Sequence, residues 1–287
     1  MAIHGAITLA RTALVPGDIL IEYEKTPEHA LLWLGGFKPI AHSAEADTTG
    51  ILQQSANVLG DGHGRPAYEV YRPLNAVLAK KATDIATAFA TPSNDTRYVT
   101  AKQQGWGLSL VTKYSQARLG GDGGIWGPEA VVRAVRAYHR YRTGSPLSAG
   151  EGVTCSQFVT YAYQAAAIAK LADHDRLFAV AIDLAAERGL LGAFGLHAAK
   201  KQGSVELATA LARIQTAYDL MRGSRDGIDL NVPIAMQVNA SVTTVDILVS
   251  GLIHDTRFAH VGNLAGDSTA DSDSGSGSGS DSDSDSD

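Results

Sequence analysis

The sequence predicts an α+β fold in which helices pack against a small antiparallel sheet. Strand-like patterns occupy the first part of the chain, and helical spacing takes over from about residue 74. Strands followed by helices, rather than strict alternation of the two, are typical of this class. With 287 residues and 45% hydrophobic side chains, the chain is long enough to bury a sizeable core.

Four short apolar runs bounded by turn residues predict the strands of the sheet. They are Ile19 to Tyr23 after the turn signal Pro16-Gly17-Asp18, His29 to Leu34 before Gly35-Gly36, Pro39 to His42, and Tyr68 to Tyr71 before Pro73. The connections between successive runs are mostly short, which predicts antiparallel pairing.

Helical spacing follows in five segments: Leu74 to Phe89, Pro128 to Tyr141, Cys155 to Ala172, Arg176 to Arg188 and Val205 to Met221. Pro128 suits the first position of a helix, where its missing N–H group has no partner to lose. The segment from about 173 to 225 is interpreted as a helical insertion. No repeat of fixed period occurs, which argues against solenoids and propellers.

The chain is expected to divide into a catalytic domain over residues 1–265 and an acidic tail over residues 266–287. The tail consists largely of Ser, Asp and Gly and contains at least seven Asp. Such a composition has too few apolar side chains to offset the entropy of ordering, so the tail is expected to be disordered. A solvating role is favoured over a specific interaction.

Composition excludes several classes of function. The net charge of −6 argues against a nucleic-acid-binding surface. A single cysteine allows neither an intramolecular disulfide nor a zinc site built from several thiolates, and no cofactor is expected. No Sec signal is recognised, and the most apolar stretches are shorter than the roughly 20 residues that span a bilayer. The protein is expected to be cytoplasmic as made, with export by a non-Sec route left open.

Cys155 is the first candidate catalytic residue. It follows a glycine-bearing loop and opens a helical run, so it is expected at a helix N-terminus. Unpaired N–H groups there favour a thiolate and can stabilise an oxyanion. The alternative is that Cys155 is a small buried hydrophobe, the commoner state of a lone thiol.

His29 and His42 are the candidate partners of this thiol. They lie 13 residues apart on two strands expected to be adjacent, so their rings can meet. One imidazole would take the thiol proton and the other would fix its tautomer. His254 and His260 could instead form a metal pair, but no further ligand has a characteristic spacing, so no metal site is assigned.

The order of these motifs resembles the circularly permuted papain-like hydrolases, which are related to the NlpC cell-wall peptidases and to lecithin:retinol acyltransferase. The similar segments are Pro16-Gly17-Asp18-Ile19-Leu20, His29-Ala30-Leu31-Leu32-Trp33-Leu34-Gly35, Ile40-Ala41-His42, Thr154-Cys155-Ser156-Gln157-Phe158-Val159, and a closing segment from Val245 to Gly262. Together they span most of residues 14 to 264.

The resemblance implies Cys155 as nucleophile, His29 as its base and His42 as the third catalytic member, with Glu45 as the alternative third member. Gln157 is a candidate side-chain donor to the oxyanion. The acyltransferase branch has Asn-Cys-Glu-His-Phe around its nucleophile, whereas this chain has Thr-Cys-Ser-Gln-Phe, which is nearer the bacterial hydrolases.

The expected activity is therefore hydrolysis of an amide bond, in a peptidoglycan stem peptide or another peptide, through a thioester acyl-enzyme. The alternatives are a lipase or acyltransferase acting on fatty-acyl esters, and a non-catalytic binding scaffold. The expected partner is a peptide or acyl substrate. A secreted bacterial effector would add an inhibitor or immunity protein.

Overall fold

The computed structural model describes residues 7–23, 26–44, 50–59, 67–90, 128–145, 153–187, 212, 236–238, 240 and 243–264. Six strands form one antiparallel sheet in the spatial order β4-β3-β2-β1-β5-β6. The strands are β1 (Ile19–Tyr23), β2 (Pro27–Trp33), β3 (Ile40–Ala44), β4 (Gly50–Gln54), β5 (Ala67–Pro73) and β6 (Phe258–Leu264). The helices are α1 (Ala76–Phe89), α2 (Pro128–Thr143), α3 (Cys155–His174), α4 (Arg176–Glu187) and α5 (Val245–His254). The predicted α+β class and antiparallel sheet are confirmed.

Both faces of the sheet are covered by apolar side chains. Ile19 and Ile21 of β1 join the core that includes the helices, whereas Leu20 joins a second cluster with Val70 of β5. All four side chains are fully buried. Because successive side chains of a strand point to opposite faces, an apolar residue at every position marks a strand that is buried on both sides.

Helix α3 is the central helix of the fold. It packs against the other four helices and against β2 and β3. Every side chain from Cys155 to Ala169 is buried, which is expected of a helix enclosed on all sides. The position of its first residue is therefore fixed by packing along the whole helix.

The turn before β1 connects the sheet to two helices. Gly17 has a φ of +97°, and a Cβ added there would lie 2.6 Å from the Cβ of Ala79 in α1, so only glycine fits. The Tyr163 hydroxyl of α3 donates a hydrogen bond to the Gly17 carbonyl. Gly17 N–H donates to Trp33 O, and Trp33 N–H donates to Asp18 O, each at 2.8 Å. These bonds fix the end of β2, the strand that carries His29.

The structure adds to the sequence prediction in several places. The predicted strands correspond to β1, β2, β3 and β5, but β2 begins two residues earlier than expected, at Pro27. β4, α5 and β6 were not predicted as individual elements. Within the proposed insertion at 173–225, the structure describes the end of α3, helix α4 and Ala212. The helix expected at Val205 to Met221 otherwise lies outside the described residues, as does the tail from residue 266.

Candidate active site

Helix α3 begins at Cys155 because a reciprocal capping box fixes its first turn. Thr154 Oγ1 accepts a hydrogen bond from the Gln157 N–H at 3.4 Å, and Gln157 Oε1 accepts one from the Thr154 N–H at 3.0 Å. The pair satisfies donors that a helix start would otherwise leave unpaired. Ser43 Oγ of β3 donates to Val153 O at 2.7 Å, so the preceding segment is also held to the sheet.

The sequence predicted Gln157 as an oxyanion donor, and the structure gives its side chain a capping role. Its amide oxygen is the atom used in the capping box, and the residue is 1% exposed. A hydrogen bond to an oxyanion would have to come from Nε2 of the same amide. That second role stays a prediction.

The thiol of Cys155 lies in a buried site lined by backbone N–H groups. Cys155 is 6% exposed. Burial raises the pKa of its thiol, which outweighs the lowering by hydrogen bonds from the N–H groups of Ala30, Ser156 and Cys155 itself; the charge of Glu22 raises the pKa further. The sequence-based expectation of a lowered pKa is thus reversed by burial, and the resting side chain is a neutral thiol at pH 7.

His29 and His42 meet as the strand arrangement predicted. His29 Nε2 lies 2.6 Å from His42 Nδ1, and the two rings are nearly perpendicular with centroids 5.0 Å apart. The register between β2 and β3 pairs Leu32 with Ala41 and Trp33 with Ile40, so His29 lies three residues before the first paired position. The imidazole hydrogen bond therefore joins the two strands beyond their paired residues.

Gln54 completes this chain of hydrogen bonds and was not found from the sequence. Its Oε1 lies 2.8 Å from His42 Nε2. Gln54 is the last residue of β4, which pairs with β3 so that Gln54 is opposite Ile40 and Leu52 is opposite His42. Polar side chains in a strand that runs beside a histidine-bearing strand are the signal that could have identified it.

Both imidazoles are neutral at pH 7. Burial, followed by electrostatic repulsion from His42 when both rings are protonated, lowers the pKa of His29 to about 3. Burial also lowers the pKa of His42, although the hydrogen bond to Gln54 opposes this effect. A neutral imidazole has one bare nitrogen, which is the form that a general base requires.

The structure brings the two imidazoles together, and it places the Cys155 thiol on the side of β2 that packs on the helices, in the same core as Ala30. Among the N–H groups that lower the pKa of the thiol is that of Ala30, the chain neighbour of His29. Helix α3 packs on both β2 and β3, the strands that carry the two histidines. The alternative third member, Glu45, lies outside the described residues.

His254 and His260, the alternative metal pair, are engaged in separate hydrogen bonds. His254 Nδ1 donates to the Ser250 carbonyl one turn earlier in α5, at 2.8 Å. His260 Nε2 lies 3.2 Å from Asn263 Oδ1 in β6. Within the described part of the chain, no group of three His, Cys, Asp or Glu side chains could hold a metal ion.

Comparison of the chain with protein-family models, with curated proteins and with solved structures finds no match. The likeness to permuted papain-like hydrolases therefore rests on the motifs and their order. Among the described residues, no helix has the length and apolar character needed to cross a membrane.

Proposed function

We propose that this chain is a cysteine-dependent hydrolase that cleaves an amide bond, in a peptidoglycan stem peptide or another peptide. One observation supports the proposal above all. The only thiol opens a buried helix that packs on β2, the strand that carries His29, and the ring of His29 is hydrogen-bonded to His42. A nucleophile, a base and a group that orients the base are the components that covalent acyl transfer requires.

The reaction begins with a neutral thiol and a neutral imidazole. His29 Nε2 is bonded to His42, so Nδ1 is the nitrogen that accepts the thiol proton as the sulfur of Cys155 attacks the carbonyl carbon. Helix-terminal N–H groups, including that of Cys155, stabilise the oxyanion. The His29 imidazolium then donates its proton to the leaving amine, and a thioester to Cys155 remains. Water, deprotonated by His29, attacks the thioester; the C–S bond breaks, the acid is released, and His29 returns the proton to the sulfur of Cys155.

The motif around Cys155 favours an amide as substrate. Thr-Cys-Ser-Gln-Phe is nearer to the bacterial hydrolases than to the acyltransferases. An amine is a poor leaving group unless it is protonated as the C–N bond breaks, and the His29 imidazolium can supply that proton.

The direct test is to trap the acyl-enzyme. Wild-type protein and Cys155→Ala are incubated with purified muropeptides and, separately, with short-chain fatty-acyl esters, and both protein and products are analysed by mass spectrometry. We expect muropeptide cleavage by the wild type alone, because alanine has no nucleophile. A Cys155-linked adduct from the esters without muropeptide cleavage would contradict the amide assignment and favour a lipase or acyltransferase. Absence of both signals would favour the binding scaffold.

A second prediction concerns the pH dependence of the thiol. Alkylation requires the thiolate. Because the pKa of Cys155 is raised, its thiolate fraction at pH 7 is smaller than that of an ordinary thiol, and it grows as the pH rises. We expect iodoacetamide to react with native protein more slowly than with a free-thiol peptide at neutral pH, and the rate to increase from about pH 7 to about pH 10. The measurement is the mass shift at Cys155 over time.

Rapid alkylation at about pH 6 would contradict this prediction, because it would require a thiolate paired with an imidazolium at rest. Unfolded protein at each pH provides the control, since its exposed Cys155 should follow the ordinary titration of a thiol.

A further inference from the structure

We propose that Gln54 is a positioning residue that orders the protons on both imidazoles, so that Nδ1 of His29 is the nitrogen left without a proton. The inference rests on the proposed function in one respect only, which is that His29 serves as the base. The proton arrangement itself is a property of the resting protein and can be measured without substrate.

The chain of hydrogen bonds from β4 to β2 fixes the position of each proton. An amide oxygen can only accept, so His42 Nε2, 2.8 Å from Gln54 Oε1, must carry a proton. A neutral imidazole has one N–H group, which leaves His42 Nδ1 bare. His29 Nε2, 2.6 Å from that atom, must then donate its proton to it. His29 Nδ1 is consequently bare and able to accept the thiol proton.

The surroundings of the two rings keep each of them at one proton. Both imidazoles are largely buried and both titrate below their ordinary pKa. Glu22 of β1 is paired directly with His29 in the sheet, and Cys155 opens the helix that packs on β2 and β3. Within the described part of β1, Glu22 is thus the carboxyl residue opposite His29.

The position of Gln54 in the sheet explains its reach. His42 is opposite Leu52 in the β3–β4 register, and Gln54 is two residues beyond Leu52, so it is the diagonal neighbour of His42 on the same face. Diagonal neighbours lie within reach of long side chains. Gln53 points to the other face, and its Nε2 lies 3.3 Å from the Thr87 carbonyl of α1.

Removal of Gln54 is expected to lower kcat while leaving KM nearly unchanged. Without the amide oxygen, the opposite arrangement becomes accessible, in which both protons are shifted and His29 Nδ1 carries a hydrogen. We expect Gln54→Leu to lower kcat by about 10- to 100-fold, by analogy with the loss seen when a group that orients a metal-bound imidazole is removed. Gln54→Glu keeps an accepting oxygen and should restore the tautomer, while its charge moves the acid limb of the kcat profile to higher pH.

The decisive experiment is ¹⁵N NMR of the imidazoles in the full chain, which distinguishes protonated from bare ring nitrogens. In the wild type we expect a proton on Nε2 of both His29 and His42, retained in Gln54→Glu and mixed with the other tautomer in Gln54→Leu. Gln53→Leu is the matched control, with the same change one residue away on the opposite face, and should leave the tautomers unchanged.

A proton on His29 Nδ1 in the wild type would overturn the inference, because the amide of Gln54 would then be donating to His42. Unchanged tautomers in folded Gln54→Leu would overturn it as well. The tautomers are read directly from the wild-type spectrum, so this test of the proton arrangement does not depend on whether a variant folds. If the tautomers are as expected but no substrate is cleaved, the proposed function fails while the proton arrangement stands.

Discussion

Substitution of His29 by glutamine is expected to slow Cys155-dependent turnover by about 10²- to 10⁴-fold, the usual contribution of a general acid–base group. Glutamine can still form a hydrogen bond to His42, but it can neither take the proton of the thiol nor return it to the leaving amine. Because the resting thiol is neutral, no preformed thiolate can replace the missing base. The measurement is the rate of muropeptide cleavage by wild type and variant.

His254→Gln is the matched control, because His254 is exposed at the end of α5 and takes no part in the imidazole chain. It should retain the wild-type rate. Near-ultraviolet circular dichroism would establish that both variants keep native packing. If folded His29→Gln retained nearly full activity, another group would have to accept the thiol proton, and the role of His29 as the base would be wrong.

An unmixed apolar pattern made β1 the clearest of the strands predicted from the sequence. β1 reads Ile-Leu-Ile and lies in the middle of the sheet, so every apolar residue signals burial. β4, in contrast, has only Ile51 and Leu52 as apolar residues beside two glutamines and lies at one edge. β6 contains Gly262, where a φ of +140° accompanies close contact with Ile7. Such short or interrupted patterns indicate strands only once their neighbours are known.

The same limit applies to the candidate site. His29 and His42 could be placed together because both begin or end recognisable runs on strands expected to be adjacent. Gln54 could not, because its strand was not predicted. The direction of the Cys155 pKa shift was also inaccessible, since it depends on how completely α3 is enclosed by other elements, and the helix-start motif by itself favours the thiolate.

The largest expected effect on stability comes from Arg72→Met. Asp18 is fully buried in the turn before β1, and Arg72 of β5 contacts both of its oxygens, Nε to Oδ1 at 2.8 Å and Nη2 to Oδ2 at 2.7 Å. Methionine retains much of the apolar stem but leaves the buried carboxylate without its cation. Breaking a buried pair in this way costs about 3–5 kcal/mol. The free energy of unfolding, measured in urea, should fall by about that amount.

Two comparisons separate the loss of the charge partner from other effects of the substitution. Lys80→Met removes the cation of an exposed i,i+4 pair with Asp84 and should change the free energy of unfolding by only about 0.3–0.5 kcal/mol. The double variant Asp18→Asn with Arg72→Met should recover part of the loss, because no unpaired charge stays buried.

The turn that holds Asp18 also holds the end of β2, because Asp18 O accepts the Trp33 N–H. Loosening this turn should therefore release the strand that holds His29. Arg72→Met is thus expected to lose turnover at lower urea concentrations than the wild type, although Arg72 takes no part in the chemistry. Equal loss of stability in Arg72→Met and Lys80→Met would show that the buried pair contributes no more than an exposed one.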